Sequence, residues 1–240
     1  MKKIIFTSIV LISAISLLLL SACRLMCVRG SGNQITESRS VGDFTKIDVS
    51  GQFKVVLKQD SSASLKINGD DNLMKYIKTS VSNGKLKIYS KKSLCSSGEI
   101  VINVGIRNIN NVEASGAVEV ASDGKINTQD IHFDLSGATK LTMDLNAANV
   151  STEGSGATRI NLTGQASSHS VDLSGAGRIN AFDFVVGNYT IETSGATKCE
   201  INVLNSLSVH TSGASTIRYR GNPKTVNNDK SGASSLEKVD

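Results

Sequence analysis

The chain has 240 residues, a formal net charge of +5, 39% apolar residues, 4% aromatics, no Trp and a single Pro. That length and composition suit one β domain of short strands and tight turns, and speak against two domains or an aromatic-lined cleft. No run of Lys and Arg interleaves with aromatics, which argues against a nucleic-acid partner.

The first 22 residues read as a secretion signal. Lys2 and Lys3 precede an apolar run from Ile4 to Leu20, and Leu20-Ser21-Ala22-Cys23 closes it. A small residue before the cut is the usual processing pattern. A Cys directly after Leu-Ser-Ala resembles the bacterial lipobox, which implies a diacylglyceryl group on Cys23 and a fatty-acylated lipoprotein. The run is barely long enough to span a bilayer, so lipidation is preferred to an uncleaved anchor. Several acyl chains hold a protein stably on a membrane, whereas one gives only marginal binding. Removal of the signal takes two positive charges and no acid, which leaves +3.

Residues 23–38 read as a lipidated polar tether, with Gly30, Ser31, Gly32 and Asn33. Residues 39–99 read as irregular N-terminal coils of a β domain that runs over 39–240. There Phe44, Ile47, Val49, Phe53, Val55 and Leu57 recur with strand alternation, followed by Leu65 and Ile67. Asn72 to Ile77 suits one or two helical turns, and Asn83-Gly84 is a hairpin dipeptide. Cys27, Cys95 and Cys199 remain once Cys23 is acylated. Three is an odd number for pairing, so the state of Cys27 and Cys95 stays open. Cys199 falls on an apolar column and reads as a buried small hydrophobe. No pair has zinc spacing, and neither a metal nor a cofactor is expected.

Residues 100–240 carry a regular repeat. Ser-Gly-Ala starts at Ser115, Ser136, Ser155, Ser174, Ser194, Ser212 and Ser231, with gaps of 21, 19, 19, 20, 18 and 19. This period is too short for helical hairpins and suits one turn of a parallel β-solenoid with coils of about 19 residues. Three residues before each Ser stand Val112, Phe133, Thr152, Val171, Ile191, Val209 and Asn228. Five after it stand Val120, Leu141, Ile160, Ile179, Cys199, Ile217 and Leu236. Met143, Leu162, Ala181, Ile201 and Tyr219 follow two residues later. These columns predict inward positions at period two. Each Gly marks a corner that needs positive φ or close backbone approach. The last repeat has Asn228, Lys230 and Lys238 where apolar residues stood, which reads as a polar terminal cap and predicts a monomer or small oligomer.

Two charged columns flank the tripeptide. Glu113, Asp134, Glu153, Asp172 and Glu192 lie two residues before the Ser, and Lys140, Arg159, Arg178 and Lys198 lie four after it. In-register stacking turns them into an acidic and a basic ladder. These nine residues are the candidate ligand-binding outer face. One reading is a solvated surface that discourages aggregation. The other is a repeated surface for a polyvalent glycan or protein ligand, or for calcium between carboxylates. The histidines His132, His169 and His210 occupy different offsets and read as surface residues rather than catalytic bases.

Three segments and the repeat together carry a resemblance. They are Arg39 to Ser50 (RSVGDFTKIDVS), Gly51 to Val55, and Asn83 to Ile88, with the seven tripeptides and the stretch Arg218 to Pro223. This ordered set resembles the bacterial family of putative auto-transporter adhesins with a head GIN domain. The resemblance implies an all-β, right-handed, single-stranded parallel β-helix, similar to the pectin-lyase-like fold but without its catalytic groups. It carries no functional residue, because the shared pattern defines structure. The expected function is a non-enzymatic envelope lipoprotein, an adhesin or macromolecule binder held through Cys23, and in the outer membrane rather than the inner. The alternative is a polysaccharide lyase or glycoside hydrolase. Hydrolysis needs two carboxylates whose environments set them apart, and a repeated acidic column distinguishes no pair.

Overall fold

The computed structural model describes residues 27–240; the expected signal segment and Cys23 lie outside the described residues. Apart from one short 3₁₀ turn the fold is all-β, and it forms no closed barrel. Among the described residues, no helix is long and apolar enough to cross a membrane.

The long strands β9 (Asn111–Gly137), β10 (Lys140–Gly195) and β11 (Lys198–Gly213) each run on through the corners of the repeat. They pair in parallel, each residue opposite its counterpart one repeat away. Leu141 faces Val120, Ser155 faces Ser136, Ile179 faces Cys199, and Gly195 faces Gly213. The inward columns meet in one core: Val112, Phe133, Val171, Ile191 and Val209 are buried, as are Leu141, Ile160, Ile179, Cys199 and Ile217. Burying one such aliphatic side chain contributes about 1.5–3 kcal/mol, and no repeat can bury its own apolar face without a neighbour.

The corner glycines explain why the tripeptide tolerates no side chain at its centre. Gly156 has φ +87°, and a Cβ there would come within 2.6 Å of the Gly137 carbonyl oxygen. The same stacking of glycine on glycine oxygen continues through Gly116, Gly137, Gly175, Gly195, Gly213 and Gly232.

The file extends one corner further than the tripeptide count. In strand β3 (Lys46–Gln59), Ser50-Gly51-Gln52 pairs in register with Ser115-Gly116-Ala117. Ile47, Phe53, Val55 and Leu57 occupy the inward columns there, and all are buried. The chain then makes an excursion of about fifty residues before it returns to the stack at Asn111.

That excursion builds the N-terminal end. Strands β6 (Lys85–Ser90) and β8 (Val101–Ile106) pair in parallel with β3 on the side away from β9. Antiparallel strands then cover them. Strand β5 (Ile77–Ser82) pairs with β6 through an Asn83-Gly84 turn, both residues at positive φ, as a two-residue hairpin requires. Strand β4 (Ser64–Asp70) pairs with β8, and β2 (Gln34–Arg39) with β4. The 3₁₀ turn Asp71–Tyr76 drives Leu73 and Met74 into the open end of the core. Arg39 spans the two antiparallel pairs: its guanidinium donates to the carbonyls of Ile77 (2.8 Å) and Met74 (3.1 Å).

Much of the segment expected as a tether is docked onto this end. Val28–Arg29 (β1) pairs with Leu94–Cys95 (β7), Cys27 and Cys95 form a disulfide, and β2 lies in the main sheet. Asp70 is the hub. Its buried carboxylate accepts hydrogen bonds from Ser96 Oγ, Ser97 Oγ, Ser97 N–H and Gly32 N–H, which hold it well below the usual carboxylate range. Asp71 is also lowered, first by Ser31 and then by Asn33.

Candidate functional site

The tripeptide forms a ridge, and the two charged columns flank it. The acidic side is partly neutralised at its start. Glu113 accepts both of its close contacts from Lys85 Nζ, at 2.7 and 2.8 Å, and this pairing raises the Lys85 pKa. Asp48, its counterpart in β3, pairs with Lys87. Further along, Asp134 lies beside Glu153 in register, while Asp172 and Glu192 are exposed and share a shallow trough of about 510 Å³ with His210 and Asp229. His210 stands in register between Glu192 and Asp229 and interrupts the run of carboxylates. Among the described residues no group of three or more His, Cys, Asp or Glu is arranged to hold a metal.

The basic side is built differently. Lys140, Arg159, Arg178 and Lys198 line one continuous trough of about 680 Å³. Its floor carries the alanines of successive tripeptides, such as Ala157 and Ala176, and the neighbouring threonines. The file therefore faces a groove because the small Ala leaves space beside each cation. Its two ends are already neutralised. Lys140 donates to Glu119 at 3.1 Å, and Lys198 to Glu200 at 2.9 Å. Glu200 also accepts from Arg218 at 3.0 Å, and its pKa is lowered, chiefly by Lys198. Arg159 and Arg178, in the middle, are exposed and make no ion pair among the described residues.

Hydrogen-bonded ladders reinforce the register around this trough. Asn180 Nδ2 donates to Asn161 Oδ1 at 2.7 Å, and Asn161 Nδ2 to Thr142 Oγ1 at 3.1 Å, on the same strands and two residues beyond the cations. A second ladder links Gln165, Asn146 and Asn127. Sequence reasoning missed both ladders, although the recurrence of amides every 19 residues was present.

The histidine expectation needs correction at one position. His169 is not on the surface but 1% exposed, in the core column that Val150 and Leu207 also occupy. Its Nε2 meets Thr152 Oγ1 at 2.9 Å, its Nδ1 meets Tyr189 Oη at 2.8 Å, and Phe184 packs edge-on. Burial lowers its pKa to about 3, so the ring is neutral at pH 7 and holds a polar network inside the core. Cys199 is buried as expected, and burial pushes its thiol up to about 12.

The family described as putative auto-transporter adhesin, head GIN domain matches residues 43–223, well over half of the chain. The chain belongs to that family. Among solved structures, a putative adhesin from Bacteroides fragilis is similar at a TM-score of 0.84 and 20% identity, over 88% of this chain and 100% of that one. A putative adhesin from Parabacteroides merdae matches at 0.70 and 20%, over 90% and 100%. A protein from Parabacteroides distasonis titled a putative lipid binding protein matches at 0.71 and 18%, over 89% and 99%. At such identities these structures share the fold and no more. No curated protein sequence matches the chain.

Proposed function

We propose that the protein is a non-enzymatic, lipid-anchored envelope protein. In this reading it is a parallel β-solenoid whose outer face binds a macromolecule, as an adhesin does. The observation that carries it is register: residues one repeat apart stand side by side, so an outward residue type recurs at the interstrand spacing of about 4.8 Å. Such a surface makes one weak contact many times, which is how avidity arises without a deep pocket.

Membership of an adhesin family supports the reading, as do structural neighbours that include proteins titled putative adhesins. The Cys27–Cys95 disulfide supports export, since disulfides persist in oxidising compartments. The lipobox-like Leu20-Ser21-Ala22-Cys23 supports acylation of Cys23, and Arg24-Leu25 after it, unlike an inner-membrane retention signal, supports the outer membrane rather than the inner. Against the enzymatic alternative, His169 is sealed in the core, and the carboxylates beside His210 in the open trough belong to one repeated column. The neighbour described as a putative lipid binding protein offers no separate support for a lipid ligand, because the troughs here are open and lined by charged side chains.

The test pairs a deletion strain with the purified chain on glycan and protein arrays, together with protease treatment of intact cells. Adhesion lost on deletion and ligand captured on an array are the expected results. Full adhesion without the gene, and no ligand on either array, would sink the proposal. Mass spectrometry of Cys23 tests the anchor: an unmodified, uncleaved N-terminus would overturn lipidation.

A further inference from the structure

The two flanks of the ridge differ in a way that selects a ligand. On the acidic flank the residues nearest the N-terminal end already have cationic partners, and the exposed carboxylates line the smaller trough, with His210 among them. On the basic flank two guanidinium groups stand unpaired on adjacent repeats, within a trough floored by methyl groups. Like charges set side by side across neighbouring strands repel one another. The two outer lysines relieve this through Glu119 and Glu200, and the arginines do not. The structure therefore holds a concentrated positive charge at the middle of the groove, with neutralised ends.

We propose that this trough binds an anionic polysaccharide, its carboxylate or sulfate groups seated on Arg159 and Arg178. The inference rests on the reading of the domain as a macromolecule binder and names the chemistry of its ligand. Arg is suited to the role because its planar fork meets carboxylate and sulfate oxygens in pairs. A polymer fits better than a small anion because the site has no closed end. The file from Lys140 to Lys198 spans three interstrand steps, about 14 Å, and the step is close to the rise of one sugar ring in an extended glycan. A nucleic acid fits poorly, since single strands bind on aromatic platforms and none of the trough's lining residues is aromatic. The flanking ion pairs act as stops that confine the strong contacts to the central repeats.

The test measures binding of the full-length chain, in mild detergent, to immobilised polygalacturonate, dextran sulfate, neutral dextran and duplex DNA. Binding to polygalacturonate or dextran sulfate, weakening steeply as salt rises, and none to neutral dextran, is the expected pattern. R159Q combined with R178Q should weaken it about tenfold or more, while D172N combined with E192Q, on the other flank, should not weaken it. Thermal melting of each variant checks that it stays folded. Equal binding to neutral dextran, DNA binding as tight as polyanionic glycan binding, or an unchanged affinity in the double arginine variant each overturns the assignment. Capture of a protein or neutral glycan on the arrays without polygalacturonate or dextran sulfate binding overturns it while leaving the wider reading standing. No binding to anything removes both.

Discussion

The N-terminal end and the repeats achieve the same thing, a continuous β core, by opposite means. Over 111–213 nearly every contact is a copy of the one before: Gly on Gly, apolar column on apolar column, amide on amide. Over 27–110, outside the Gly51 corner in β3, almost every contact occurs once. The disulfide, the Asp70 hub, the Arg39 bridge and the plug of Leu73 and Met74 have no counterpart elsewhere among the described residues. The difference teaches that a stack can be propagated by a short local rule but must be started by unique long-range contacts. Left bare, the first layer would expose unpaired strand edges and an open core.

The largest expected effect breaks the copied region. Gly156 and Gly124 have nearly equal φ values, +87° and +86°, but a Cβ on Gly124 would meet nothing within 4 Å. Gly124→Ala should therefore cost only the left-handed strain, about 1 kcal/mol. Gly156→Ala adds a collision with backbone that the neighbouring repeat cannot move, and should cost roughly 4 kcal/mol. Urea denaturation of the two variants measures the difference; equal losses would remove stacking as the reason for the glycine file.

Breaking the unique region comes next. Cys27→Ser with Cys95→Ser should cost about 3 kcal/mol. Hydrogen exchange should rise first over residues 28–39, with the ladders of 140–213 still protected. Uniform exchange along the whole chain would abolish the division drawn between the two regions.

A smaller effect probes the one polar interruption of the repeat core. His169 has its pKa lowered to about 3, against 6.5 for the free side chain. Between those values the unfolded chain binds a proton that the folded chain refuses, so stability falls as the pH drops below 6.5. From pH 6.5 to 5 the loss is at most about 2 kcal/mol. The lowered carboxylates Asp70, Asp71 and Glu200 add losses only at lower pH, as they protonate. His169→Gln should flatten the slope above pH 5; an unchanged slope would refute its origin in this ring.

The smallest effect is a gain. Thr139 Oγ1 is buried without a hydrogen-bond partner among the described residues, and one repeat earlier Val118 fills the same column. Thr139→Val should stabilise the chain by up to about 1 kcal/mol. A melting temperature lowered by this change would mean that the hydroxyl has a partner, such as a bound water.

Much of the repeat was legible because period-two burial and a 19-residue period are local properties of the chain. The corner at Gly51 is harder to see, since its tripeptide reads Ser-Gly-Gln. Yet Ile47, Asp48, Lys54 and Val55 stand at the same offsets as Val112, Glu113, Glu119 and Val120. The charged files could be read from spacing, but not which members were already neutralised. Glu119 stands in the cations' own column, one repeat before Lys140, Glu200 lies two residues beyond Lys198, and Lys85 comes from a separate strand.

By itself the sequence determined the period, the inward columns and the need for glycine at each corner, because these follow from residue type and spacing along a few neighbours. Only the tertiary structure decided that Cys27 meets Cys95, that Asp70 gathers residues 32, 96 and 97, that His169 lies inside, and that of the four cations in the basic trough Arg159 and Arg178 make no ion pair among the described residues. Those outcomes depend on which distant segments share a layer, and a pattern along a few neighbouring residues does not encode partners 38 or 68 positions away.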